Sequence, residues 1–114
     1  MNPLDLALQY MDIFYSTREI DVLAPLLAEN LVFQGPFYQF DSAEAYLASL
    51  RGDSRAGLTY SLIHSVADAT SACLIYQFSK PGISTPMAQL FEIRGGKIKK
   101  IILIFDTKVF ANAD

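Results

Sequence analysis

The sequence predicts an α+β fold: three helical segments followed by a strongly bent antiparallel sheet. Three observations lead there. Residues 3–16 and 41–52 carry helical periodicity with capping and stop signals, and a third such pattern lies between them. From residue 58 onward the pattern changes to four β-rich runs joined by turn residues. Helices segregate before strands instead of alternating with them, which is the order of an α+β protein and not of a parallel α/β sheet.

The first segment is NPLDLALQYMDIFYS. Asp5, Gln9, Asp12 and Ser16 form one polar stripe at helical spacing, and Leu4, Ala7, Leu8, Met11, Phe14 and Tyr15 fill much of the rest. Pro3 suits the first turn. A second helix is expected from near Thr17, since Ser16 and Glu19 have capping-box spacing, with a kink or break at Pro25. LVFQG then reads as a short strand stopped by Gly35-Pro36. The letters ENLVFQG approach a viral-protease cleavage site, but the pattern runs on through both sides of them, so they belong to the fold. A third helix is expected over DSAEAYLASLRG, capped by Asp41 and Glu44 and stopped by Gly52.

LTYSLIHSVA and TSACLIYQFS flank a tight turn at Asp68-Ala69, and Pro81-Gly82 forms the next turn. PMAQLFEI and KIKKIILIFD flank RGG, where Gly96 takes positive φ in a bulged hairpin. Pairing across these turns puts Ser61, Ile63, Leu74 and Tyr76 on one face and Leu62, His64, Cys73 and Ile75 on the other. In the last hairpin Gln89, Phe91, Ile93, Ile101, Leu103 and Phe105 share a face, and Leu90, Lys100, Ile102 and Ile104 share its opposite. One apolar face covers the core. The other is too large to leave bare on a monomer, so a symmetric homodimer burying Leu62, Ile75, Leu90, Ile102 and Ile104, with His64 near the interface, is expected.

Composition narrows the function classes. The 114 residues suggest one domain, 1–114, and with 52% hydrophobic and 18% charged residues they can bury a core. A net charge of −3 and a pI near 5.0 argue against a nucleic-acid partner. Cys73 is the only cysteine and His64 the only histidine, so neither an intramolecular disulfide nor a Cys/His metal site is expected. No cofactor is implied. Asp5, Gln9 and Asp12 interrupt any secretory leader. No apolar run approaches the roughly 20 residues of a membrane span, so no membrane partner is expected and a cytoplasmic location is.

Four stretches, QYMDIF, LAPLLAENLVFQGP, AEAYLASL and FEIRGGKIKKIILIFD, together resemble the nuclear transport factor 2-like superfamily, in particular its SnoaL-like (polyketide-cyclase-like) and ketosteroid-isomerase-like members. The resemblance spans nearly the whole chain. It implies a cone in which a curved antiparallel sheet wraps the helices around a deep apolar pocket, and homodimers packed through the outer sheet face. Ketosteroid isomerases place a carboxylate base just before the proline that ends the first strand. A tyrosine of the first helix and a protonated acid of a late strand serve as oxyanion donors. Carried over, the tyrosine is Tyr10, the base position is Gly35 beside Gln34, and the acid is Gln89. An amide donates and accepts hydrogen bonds but is no base at ordinary pH.

Two readings follow. In one, Phe14, Phe33, Tyr76, Phe91 and Phe105 line a pocket for a small hydrophobic molecule, and Tyr10, Gln34 and Gln89 orient one polar group on it. In the other, the chain is a small isomerase, cyclase or dehydratase acting on a polyketide- or steroid-like substrate, with His64 or another acid replacing the missing carboxylate. A filled dimerisation module is a third. Tyr38 and Tyr46 are expected as lining or packing, Asp106 at a rim, and Cys73 as a small buried hydrophobe.

Overall fold

The structure is a computed structural model that describes residues 1–16 and 19–111. Helix α1 spans Pro3–Phe14, with Asn2 as its N-cap: the Asn2 Oδ1 accepts the Asp5 N–H at 2.8 Å. The expected second α-helix is instead a 3₁₀ helix, Ile20–Leu26. Its seven residues include Pro25, which has no N–H to give, and Glu19 offers no side-chain cap. The expected start at Thr17 lies outside the described residues. Ser16 turns its hydroxyl back to the Ile13 carbonyl at 2.8 Å.

Strand β1 runs Leu27–Gln34, so LAEN belongs to the strand and does not end a helix. Pro36 and its neighbours turn the chain into β2, Gln39–Phe40, a two-residue strand with no periodicity to reveal it. Helix α2 spans Ala43–Arg51. Its cap is Ser42, whose hydroxyl accepts the Ala45 N–H at 3.0 Å, and not Asp41. Glu44 pairs instead with Arg51 at 2.9 Å, which holds its carboxyl below the usual range. Strands β3 (Thr59–Ala67), β4 (Ser71–Lys80), β5 (Ile83–Arg94) and β6 (Lys97–Phe105) follow, and a short α3, Lys108–Ala111, ends the described chain.

The six strands form one curved, open sheet in the order β2-β1-β6-β5-β4-β3. Five neighbours make five pairings, of which four are antiparallel; β1 joins β6 in parallel, so β1 reaches the sheet by a crossover through α2 and the β3–β5 meander. Turn chemistry sets the registers. Asp68 Oδ1 accepts the N–H groups of Thr70 and Ser71 at 2.9 and 2.8 Å, so the two turn residues are Ala69 and Thr70. These bonds also lower the Asp68 pKa. Gly95 and Gly96 both take positive φ, the conformation of a two-residue hairpin turn.

Two irregularities bend the sheet and change which residues share a face. One lies between Leu62 and His64: His64 still pairs with Ile75, but Leu62 pairs with Tyr76. The expected placement of Leu62 beside Ile75 is therefore corrected, because the extra residue, Ile63, reverses the alternation beyond it. The other lies between Glu92 and Ile93, opposite Lys99 on β6; it lets Ile98 and Ile101 both turn inward. The concave face carries Leu74, Tyr76, Phe91, Ile98 and Ile101 against α1, which crosses β3–β5, while α2 lies over β1 and β2. No helix among the described residues is long and apolar enough to cross a membrane.

Candidate functional site

A cavity of about 360 Å³ opens between the concave face, α1 and α2. Four elements place its polar groups. Tyr10 stands on the buried side of α1, Tyr46 on the first turn of α2, and Tyr76 and Gln89 on adjacent inward positions of β4 and β5. Strand alternation makes the last two neighbours: Leu74 pairs with Gln89, and Tyr76 is two residues along.

These groups satisfy one another. The Tyr76 hydroxyl donates to Gln89 Oε1 at 2.7 Å, and its oxygen lies 3.8 Å from the Met87 sulfur. The Gln89 side chain also acts on Tyr10, in the direction that lowers its pKa. Tyr10 and Tyr46 share a short hydroxyl–hydroxyl hydrogen bond. The Tyr15 ring meets that of Tyr76 edge-on, with centroids 6.3 Å apart. Burial nonetheless dominates: it pushes Tyr10, Tyr46 and Tyr76 well up and Tyr15 to about 12. All four are neutral hydroxyls at physiological pH. They can donate to a ligand's carbonyl or hydroxyl oxygen but cannot take a proton from carbon.

Of the expected ligand residues, Tyr10, Phe14, Phe33, Tyr76 and Gln89 line this cavity, and three do not. Gln34 pairs with Ile102 and Gln39 on the outer side and is exposed, because it alternates with the inward Phe33. Phe91 is wholly buried beneath the edge of the Tyr10 ring, at 5.1 Å between centroids. Phe105 faces inward but is covered by Phe37 and Phe110, with centroids at 5.4 and 5.0 Å. The reading from sequence missed Tyr15, Phe40, Phe78 and Leu103, and treated Tyr46 only as lining or packing. Phe78 and Leu103 lie on the inward alternation of their strands and were legible there. Phe40 was not, since it reaches the cavity only when β2 folds back onto Phe33.

His64 is exposed on the outer face beside Ile75, on the other side of the sheet from the cavity. Asp106 accepts the Lys108 N–H at 3.0 Å and is exposed at the end of β6. Cys73 is half-buried on the outer face, between Val66 and Leu90. Gly35 holds the position where an isomerase would keep its base. A Cβ there would stand 3.1 Å from the Phe33 ring, so a side chain at this position has to displace that ring. Among the described residues no three His, Cys, Asp or Glu side chains are grouped so as to hold a metal.

The outer face carries two apolar rows across the strands. One runs His64, Ile75, Ala88, Ile104, and the other Val66, Cys73, Leu90, Ile102. Ile104 is 61% exposed.

Comparison with known proteins places these features. No curated protein matches the chain. Among solved structures, a protein from Kribbella flavida is 28% identical, with 96% of this chain and 91% of that one covered at a TM-score of 0.84. An NTF2-like protein of unknown function from Cytophaga hutchinsonii is 20% identical, with 98% and 96% covered at a TM-score of 0.84. A candidate SnoaL-like polyketide cyclase from Jannaschia is 11% identical, with 97% and 90% covered at a TM-score of 0.80. The SnoaL-like domain description matches residues 7–101, and the chain belongs to that family, within the nuclear transport factor 2-like superfamily.

Proposed function

We propose that this chain is a binding domain for a small hydrophobic molecule, held in the cavity between the sheet and α1 and α2. One observation carries the reading. Nine of the sixteen lining residues are aromatic, and the polar groups among them converge on the cluster of Tyr10, Tyr46, Tyr76 and Gln89. That is the composition of a site that takes up an apolar body and orients it by one oxygen. Residues 1–114 act as one domain. The outer rows built on Ile75, Leu90, Ile102 and Ile104 pack against a second copy, with His64 at their end. A cytoplasmic setting fits a chain whose single cysteine serves no disulfide within it.

The experiment is a thermal-shift screen with neutral steroids and polyketide-like aromatics. A ligand at a hundred times its Kd adds about 2.7 kcal/mol to the folded state, which raises Tm on the order of 10 °C in a domain of this size. Absence of any shift across both classes refutes the reading.

An isomerase, cyclase or dehydratase is the second reading. What favours it is the hydroxyl cluster, whose donors could stabilise a developing oxyanion. What opposes it is the base: Gly35 and Gln89 stand where resembling enzymes carry carboxyl groups, and His64 is on the far face.

A further inference from the structure

The geometry points to a protonated amine as the preferred polar end of the ligand, held at the cavity mouth by Asp53. This rests on the cavity being a binding site, and names the chemical class that site selects. Among the described residues that line the space, Asp53 is the one charged side chain. Its carboxylate makes no ion pair or hydrogen bond with any described residue, although its backbone N–H donates to the Leu50 carbonyl.

Helix α2 fixes where that charge stands. Tyr46, Ser49, Leu50 and Asp53 recur at intervals of three and four, so one face of the helix is laid along the cavity. Gly52, at φ −90° and ψ −5°, keeps the chain near helical geometry past the last turn. Seven positions from Tyr46 to Asp53 amount to about 10 Å along the axis. A ligand of that length therefore meets hydroxyls at its inner end and a carboxylate at its outer end, with aromatic rings along the sides.

The same arrangement disfavours an acid. An anionic head at the inner end would meet only neutral hydroxyls and an amide, without a countercharge. At the mouth it would meet Asp53. Of the two guanidiniums nearby, Arg51 is paired with Asp21 and Glu44, each at 2.9 Å, while Arg55 keeps its charge but directs donors at the carbonyls of Ile13 and Phe14, at 3.2 and 2.8 Å, with its guanidinium 6.0 Å from the Phe14 ring centroid. An ammonium at the same place gains the carboxylate and the faces of the aromatic rings around the opening.

Three probes sharing one body test this: 2-(2-naphthyl)ethylamine, 2-(2-naphthyl)ethanol and 2-naphthylacetic acid, titrated calorimetrically at pH 7. The wild type is expected to bind the amine at least about tenfold more tightly than the acid, the scale of one part-exposed ion pair plus a cation–π contact. Asp53→Asn should weaken the amine about three- to fivefold, since the aromatic contact remains, and leave the alcohol unchanged, and Asp53→Lys should reverse the order of amine and acid. Circular dichroism confirms that both variants fold. If the alcohol binds but amine and acid bind alike, or if Asp53→Asn leaves their ratio unchanged, the inference is overturned while the cavity stands as a binding site. If the alcohol and both charged probes all fail to bind, the binding reading falls with it.

Discussion

Replacing Tyr76 by Phe tests whether the polar cluster is a closed network in a dry site. Tyr76 is 1% and Gln89 4% exposed, and the hydroxyl donates to the amide oxygen at 2.7 Å. Tyr76→Phe removes the donor and leaves Gln89 Oε1 buried without a partner, which costs about 2 kcal/mol. Gln89→Leu is close in volume and leaves the Tyr76 hydroxyl with only the Met87 sulfur at 3.8 Å, a loss of about 1–2 kcal/mol. The double variant removes both halves at once, so its loss should fall short of the sum by about 1 kcal/mol. Urea denaturation of the four proteins measures the cycle, with equal m-values required for the comparison. Additivity to within about 0.3 kcal/mol refutes the coupling. A Tyr76→Phe loss below about 0.5 kcal/mol refutes the premise that the amide depends on protein partners for its hydrogen bonds.

Alkali and a surface charge probe two further features. Burial raises the pKa of Tyr10, Tyr15, Tyr46 and Tyr76 above the roughly 10 of an unfolded tyrosine. The stability these groups contribute is present in full below about pH 10 and is lost as pH rises beyond it, because only the unfolded chain then releases their protons. The ultraviolet tyrosinate signal of these four should thus appear together with the loss of circular dichroism, and more than two tyrosinates per chain in an intact fold refutes the burial, since Tyr38 and Tyr60 are the two tyrosines outside the set. Ile104→Lys places a charge in the middle of the exposed outer rows; light scattering after size exclusion should show a dimer for the wild type and a monomer for the variant, and a wild-type monomer at micromolar concentration refutes the paired surface.

Sequence revealed the elements whose signals are local. Helix α1 and α2, the turns at Pro81-Gly82 and Gly95-Gly96, and the inward set from Gln89 to Leu103 all follow from spacing and turn chemistry. It failed where a partner decides the outcome. LAEN reads as a helix end, but it opens β1, whose first residue, Leu27, pairs in parallel with Ile98 of β6, a partner far along the chain. Leu62 reads as outward, yet the extra residue at Ile63 turns it. At the site, tyrosine at position 10 could be singled out through its helix and the family pattern. Its partner Tyr46 could not, since 36 residues separate them and only the packing of α2 against β1 brings the hydroxyls together.

What the amide at position 89 does to selectivity follows from that network. A protonated acid there would accept little and keep a strong donor for the ligand. Gln89 instead accepts from Tyr76, and Tyr10 is bonded to Tyr46. The Tyr10–Tyr46 bond uses one of the two hydroxyl hydrogens, so one donor of that pair remains for a ligand oxygen. Asp53 stands at the other end. Its exposed carboxylate makes no ion pair with a described residue, so an ammonium at the mouth displaces only water, for the modest gain of a part-exposed ion pair. If the cavity selects charge at its opening as proposed, substitutions at Asp53 should change which charged ligands bind more than substitutions at Tyr10 do.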